Sequence, residues 1–183
     1  DPDYLGNVAL MTRRHEDFAE AEALLRRACA LAPDNVGLAG NLAGVCLDLG
    51  RREEAAAILR RQLERTPDSA DLWNKLGQAL HTAGEAQGAQ EAFLKAIEID
   101  PDDPAFYASL SGCFFQTNNP AGAYAALRKV LDLSPRNLYA HLVLCEALQQ
   151  LGRPDEANIR AHAALLLDEY APENFGYPLK AFR

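Results

Sequence analysis

Four histidines and four cysteines are the side chains best suited to nucleophilic, acid–base or metal chemistry in this sequence. His15, His81, His141 and His162 are widely separated. Cys29, Cys46, Cys113 and Cys145 form no C-x-x-C pair, so their spacing signals neither a zinc site nor a disulfide framework. That usage fits a reducing, cytoplasmic setting. The sequence holds no H-E-x-x-H, no nucleophile beside a base and no glycine-rich phosphate loop. One constellation stands out: Asp71, Asn74, Gln78 and His81 recur at spacings of three and four and share one face of a helix. Such a row of donors and acceptors suits contact with a polypeptide better than general-base catalysis. No catalytic residue, metal site or cofactor is therefore expected in this stretch of chain. Cys46 and Cys145 read as small core residues rather than reactive thiols.

The elements that would position that row repeat. Pro33, Pro67, Pro101 and Pro135 fall 34 residues apart, the period of a helical hairpin written several times over. Aligning them divides the chain into five units, 2–35, 36–69, 70–103, 104–137 and 138–171, followed by residues 172–183. Within each unit one helical stripe is apolar: Trp73 and Tyr107 at the fourth position; Leu42, Leu76, Leu110 and Leu144 at the seventh; Cys46, Leu80, Phe114 and Leu148 at the eleventh. A stripe at that spacing is expected to be buried. Small residues recur where two helices must approach, at Ala9, Ala43, Gly77, Ser111 and Cys145, and again at Ala21, Ala55, Ala89, Ala123 and Ala157. The fold class that follows is all-α, a solenoid of five antiparallel hairpins.

Punctuation agrees with the period. Gly50, Gly84 and Gly152, with Asn118 in the fourth unit, stand where a first helix must end in a left-handed residue. Asn35, Ser69, Asp103 and Asn137 precede the next first helix and are strong N-cap types. The first unit departs: Glu16 replaces the glycine, which predicts a frayed or truncated first helix there. In the fifth unit His141 fills the aromatic position. Pro178 argues against a regular sixth first helix. Phe175, Tyr177, Leu179 and Phe182 are expected to pack over Ile159, Ala163 and Leu166 as an irregular cap, or else to lead into a further domain.

Charge narrows the partner class. The chain carries a formal net charge of -8 and a pI near 5.0, and lacks the clustered basic face that phosphate binding requires. Nucleic acid is not an expected partner. No apolar run approaches the ~20 residues that span a bilayer, so no membrane role is expected either. The chain opens at Asp1 without an initiating Met and reads as a fragment.

The third unit carries W-x-x-L-G-x-x-L from Trp73, then Gly84, Ala89, Phe93, Ala96 and Pro101. This pattern, repeated over nearly the whole chain, resembles the tetratricopeptide repeat (TPR) family. The resemblance implies a right-handed curved array whose first helices line a concave face. It also places the ligand-facing positions, the second, fifth, ninth and twelfth of each first helix, with the sixth beside them. Those bearing on binding here are Gly44, Leu47, Asp71, Asn74, Gln78, His81, Gly112, Phe115, Tyr139 and Leu142, with Asn7, Asn41, Lys75 and Ser109 at the sixth position.

Asn7 and Asn41 are similar to the asparagine ladder inside the TPR superhelix of O-linked N-acetylglucosamine transferases, where each carboxamide grips an extended polypeptide's main chain. A carboxamide both donates and accepts, so it reads backbone rather than sequence. Lys75, Ser109 and Val143 break that ladder. The Lys and Asn of the carboxylate clamp, another mode of the family, have no counterpart at the required positions. Coinciding glycines at 37, 40 and 44 suggest either a partner backbone approaching closely or relief of crowding inside a tight curve.

The resemblance implies a protein–protein interaction module holding a segment of a partner polypeptide in its concave groove. Two alternatives stand beside it: the substrate-recruiting arm of a larger enzyme such as a glycosyltransferase or sulfotransferase, with an appended catalytic domain, and a self-assembling scaffold.

Overall fold

The computed structural model of the chain describes residues 1–169, and every regular element among them is an α-helix. Five hairpins follow one another: α1 (Pro2–Arg14) with α2 (Phe18–Leu31), α3 (Val36–Asp48) with α4 (Arg52–Leu63), α5 (Ala70–Thr82) with α6 (Ala86–Ile99), α7 (Pro104–Gln116) with α8 (Pro120–Leu133), and α9 (Leu138–Gln150) with α10 (Pro154–Glu169). The expected cap over Ile159, Ala163 and Leu166 falls outside the described residues.

The local signals act as the sequence implies. Asn35, Ser69, Asp103 and Asn137 each accept a hydrogen bond from a backbone N–H in the first turn of the helix they open. Gly50, Gly84 and Gly152 adopt φ of 75°, 83° and 71°, and Asn118 adopts 53°. The first unit needs correction. α1 is as long as the other first helices, and Glu16 itself takes the left-handed conformation, with φ of 62°. Asp1 caps that helix, its carboxylate accepting from the Asp3 and Tyr4 amides.

Each helix packs on the next, and α1, α3, α5 and α7 also approach one another in series, whereas successive second helices do not come as close. The array therefore curves toward the first helices, and their outward faces form the concave side. On the outer side, Glu22 of α2 bonds Arg26 and Arg51, and Arg26 also reaches Glu54 of α4.

The apolar stripe differs from expectation at the fourth position, and at the eleventh in Phe114, which is half-buried where Cys46, Leu80 and Leu148 are buried. Leu42, Leu76, Leu110 and Leu144 are buried, but Trp73 and Tyr107 are only half-buried. Their polar edges are bonded: Trp73 Nε1 donates to the Pro67 carbonyl at 2.8 Å and Tyr107 Oη to that of Pro101 at 3.1 Å. His141 Nε2 lies 3.0 Å from the Pro135 carbonyl. A carbonyl only accepts, so this His carries its proton on Nε2. The fourth position thus ties α5, α7 and α9 each to the loop before it.

Two further positions are buried that the hairpin pattern did not single out. Leu38, Leu72, Phe106 and Ala140 at the third, and Val45, Ala79, Cys113 and Ala147 at the tenth, are at most 5% exposed. Their equivalents in the first hairpin, Tyr4 and Met11, are 67% and 54% exposed. What hides these residues is the preceding hairpin, which α1 lacks among the described residues.

Candidate functional site: the concave face of the first helices

The glycines of α3 make room for neighbours. A β-carbon on Gly40 would stand 3.0 Å from Cδ of Lys75, and one on Gly44 would stand 3.1 Å from a guanidinium nitrogen of Arg13. The long side chains of α1 and α5 thus lie across the bare backbone of α3. Lys75 pairs with Asp71 one turn before it, and Arg13 Nε donates to Asp48 Oδ2 at 2.5 Å. The space over Gly40 and Gly44 is thus occupied in part by this protein's own cations.

Around this crossing lies a cavity of about 210 Å³ lined by Arg13, Gly40, Asn41, Ala43, Gly44, Leu47, Asp48, Leu59, Lys75 and Gln78. Five of the sequence-derived candidates come together here: Asn41, Gly44, Leu47, Lys75 and Gln78. Neither the Asn41 nor the Gln78 carboxamide hydrogen-bonds to another described residue. Both cations are matched by carboxylates, so the pocket offers amides and apolar carbon with little net charge.

The remaining candidates are distributed along the face. Asn7 is exposed on α1 and does not line the cavity, and Asp71 is exposed at its edge, held by Lys75. Asn74 is 7% exposed, with Oδ1 lacking any hydrogen-bond partner, and so presents almost no surface to a ligand. His81 is half-buried with its ring over Gly112, 3.8 Å from where a β-carbon would stand, and its carbonyl accepts from Gln116 Nε2. Ser109, Phe115 and Leu142 are half-buried, and Tyr139 is 56% exposed.

Sequence reasoning left Arg13, Gly40 and Asp48 out of the binding set. Arg13 and Gly40 do occupy ligand-facing positions of the repeat. The Arg13–Asp48 pair spans one repeat plus one residue, a spacing that would have been the signal.

Nucleophilic chemistry has no support in the thiols. Burial pushes the Cys46 and Cys145 thiols up, and raises Cys113 to about 11, so each is protonated at neutral pH. Among the described residues no three His, Cys, Asp or Glu side chains gather as a metal site, and no helix is long and apolar enough to cross a membrane.

A family model described as tetratricopeptide repeat matches residues 13–80 and 114–169, and a second of the same description matches 70–103. Comparison with curated protein sequences gives no match. Among solved structures, one titled "Crystal structure of MamA protein" superposes with a TM-score of 0.77 at 21% identity, covering 97% of each chain. Another, "Crystal structure of MamA", gives 0.79 at 23% identity over 91% of this chain and 97% of that one. "MamA 41-end from Desulfovibrio magneticus RS-1" gives 0.79 at 15% identity over 95% and 97%. At these identities the likeness is one of fold. A curved stack of hairpins presenting its first helices is the architecture of a protein–protein interaction module. The period, the caps, the stacking and family models that together span most of the sequence have one source: the chain belongs to the tetratricopeptide repeat family.

Proposed function

We propose that this chain holds a segment of a partner polypeptide along the groove formed by α1, α3, α5, α7 and α9. The supporting observation is the cavity at α3, where Asn41 and Gln78 line a shallow floor and make no hydrogen bond to another described residue. Each carboxamide can donate to a carbonyl and accept from an N–H, which is the pairing an extended main chain offers. Leu47, lining the same cavity, adds apolar contact for a side chain of the segment.

Selection from a random-peptide display library on the intact protein tests this reading. Selected peptides should bind about tenfold or more weakly to Asn41→Ala/Gln78→Ala, since two hydrogen bonds of ordinary strength are lost. They should be indifferent to Glu91→Ala on the exposed outer surface of α6. Peptides that respond to the outer change and ignore the groove pair would overturn the proposal.

A further inference from the structure

The register between adjacent first helices repeats every 31 residues: Arg13 lies over Gly44, and His81 over Gly112. Leu47 and Gln78, with the same separation, line one cavity. By the same step Phe115 of α7 and Glu146 of α9 hold equivalent places, the twelfth and ninth positions of successive first helices. On α9 itself Tyr139, Leu142 and Glu146 follow at spacings of three and four, so they share one face. Tyr139 is 56% exposed, while Phe115 and Leu142 are half-buried. The groove thus changes character along its length. Its first half carries the matched pairs Arg13–Asp48 and Lys75–Asp71, and its second half is an aromatic and aliphatic patch bordered by an exposed carboxylate. Glu146 accepts only a long bond of 3.4 Å from Gln150 Nε2, and no cation among the described residues pairs with it.

We infer that the second half of the groove takes an apolar–basic element of a partner polypeptide, a bulky side chain set against Phe115, Tyr139 and Leu142 beside a Lys or Arg that reaches Glu146. Charge complementarity selects this occupant. An acidic segment would meet Glu146 uncompensated, and a purely apolar one would cover that carboxylate without giving it a partner. A Lys or Arg keeps its aliphatic stem on the patch while its head meets the carboxylate. The inference rests on the groove-binding proposal and adds the chemistry of what is bound.

The same display selection, read by peptide sequence, tests it. The selected pool should be enriched in Phe, Leu or Trp adjoining Lys or Arg. Glu146→Lys should weaken binding about tenfold or more, by replacing attraction with repulsion. Tyr139→Ser should also weaken it; both side chains are exposed, so neither change threatens the fold. A pool lacking Lys and Arg, or one whose binding survives both substitutions, overturns the inference. If such a pool still depends on Asn41 and Gln78, groove binding stands and only the apolar–basic assignment fails. A mass that rises with concentration and is restored to the monomer by Tyr139→Ser would mean that a second copy occupies the patch, which also overturns it. No selected pool at all removes both readings.

Discussion

A β-carbon on Gly77 of α5 would stand 2.5 Å from Cε1 of Phe93 in α6, closer than two carbons can come. Phe93 is 1% exposed, so its ring has nowhere to go. At the same two positions the other hairpins carry Ala9 with Leu25, Ala43 with Leu59, Ser111 with Leu127 and Cys145 with Ala161. Within the third hairpin the largest residue of that series faces the smallest. Volume is traded across the helix pair while close packing is kept.

That trade makes Gly77→Ala destabilising despite the better helix former. Overpacking costs about 1–3 kcal/mol, against a gain of about 1 kcal/mol for Ala over Gly in a helix. Phe93→Leu alone leaves a void and costs about 1 kcal/mol. Together they reproduce the Ala43–Leu59 pair of the second hairpin. The double variant should be more stable than the sum of the two changes by about 1 kcal/mol or more, measured by urea denaturation. Additive effects would show that the two residues do not share space.

Glu16 bears the cost of a left-handed residue that glycine bears cheaply in three other units. Glu16→Gly should therefore stabilise the protein by about 0.5–1 kcal/mol, the strain relieved being partly offset by the freedom glycine gains when unfolded. Gly84→Ala should do the reverse, costing about 1–2 kcal/mol. Thermal unfolding of the two variants decides it; a Glu16→Gly protein that melts earlier would mean the Glu side chain makes a compensating contact.

How much of this was readable in the residues depends on what hides each one. Caps such as Asn35 and Ser69 act within one turn of helix, so their types and places sufficed. Leu72 and Ala79 are hidden by a neighbouring hairpin rather than by α6, so a stripe deduced from one hairpin passes over them. Trp73 sits on the apolar stripe, yet its indole edge is bonded to a carbonyl, and periodicity cannot distinguish a ring that packs on all sides from one with a bonded edge. In the groove, the family pattern pointed to Asn41, Gly44, Leu47, Lys75 and Gln78, which line one cavity. It did not show what lies over Gly40 and Gly44, because Lys75 and Arg13 come from the adjoining units and their direction is set by Asp71 and Asp48.

The loop ties at the fourth position predict a graded loss. Tyr107→Phe deletes only the donor to the Pro101 carbonyl, so it should cost about 0.5–1.5 kcal/mol. Hydrogen exchange should reveal the change first at the amides opening α7, whose preceding loop is released. An exchange pattern altered equally along the array would count against a local tie.

Acid should loosen the outer face between α2 and α4. Burial opposes ionisation of Glu22, but hydrogen bonds from Arg26 and Arg51 outweigh it and hold the carboxyl below its ordinary value. A carboxyl depressed in the folded state contributes stability that is fully present above its ordinary value and is lost as pH falls through the folded one. Glu22→Gln should therefore cost about 1 kcal/mol or less at neutral pH, in the range of solvent-accessible pairs. The gap between it and the unmodified protein should be constant through neutral pH and close progressively below about pH 4.5, where free carboxylates begin to protonate. Raised salt should shrink the same gap at neutral pH by screening it. Denaturant midpoints of both proteins across that range make the comparison. A gap that widens toward acid would mean that the half-buried side chain favours its neutral form, and that the two arginines do not govern it.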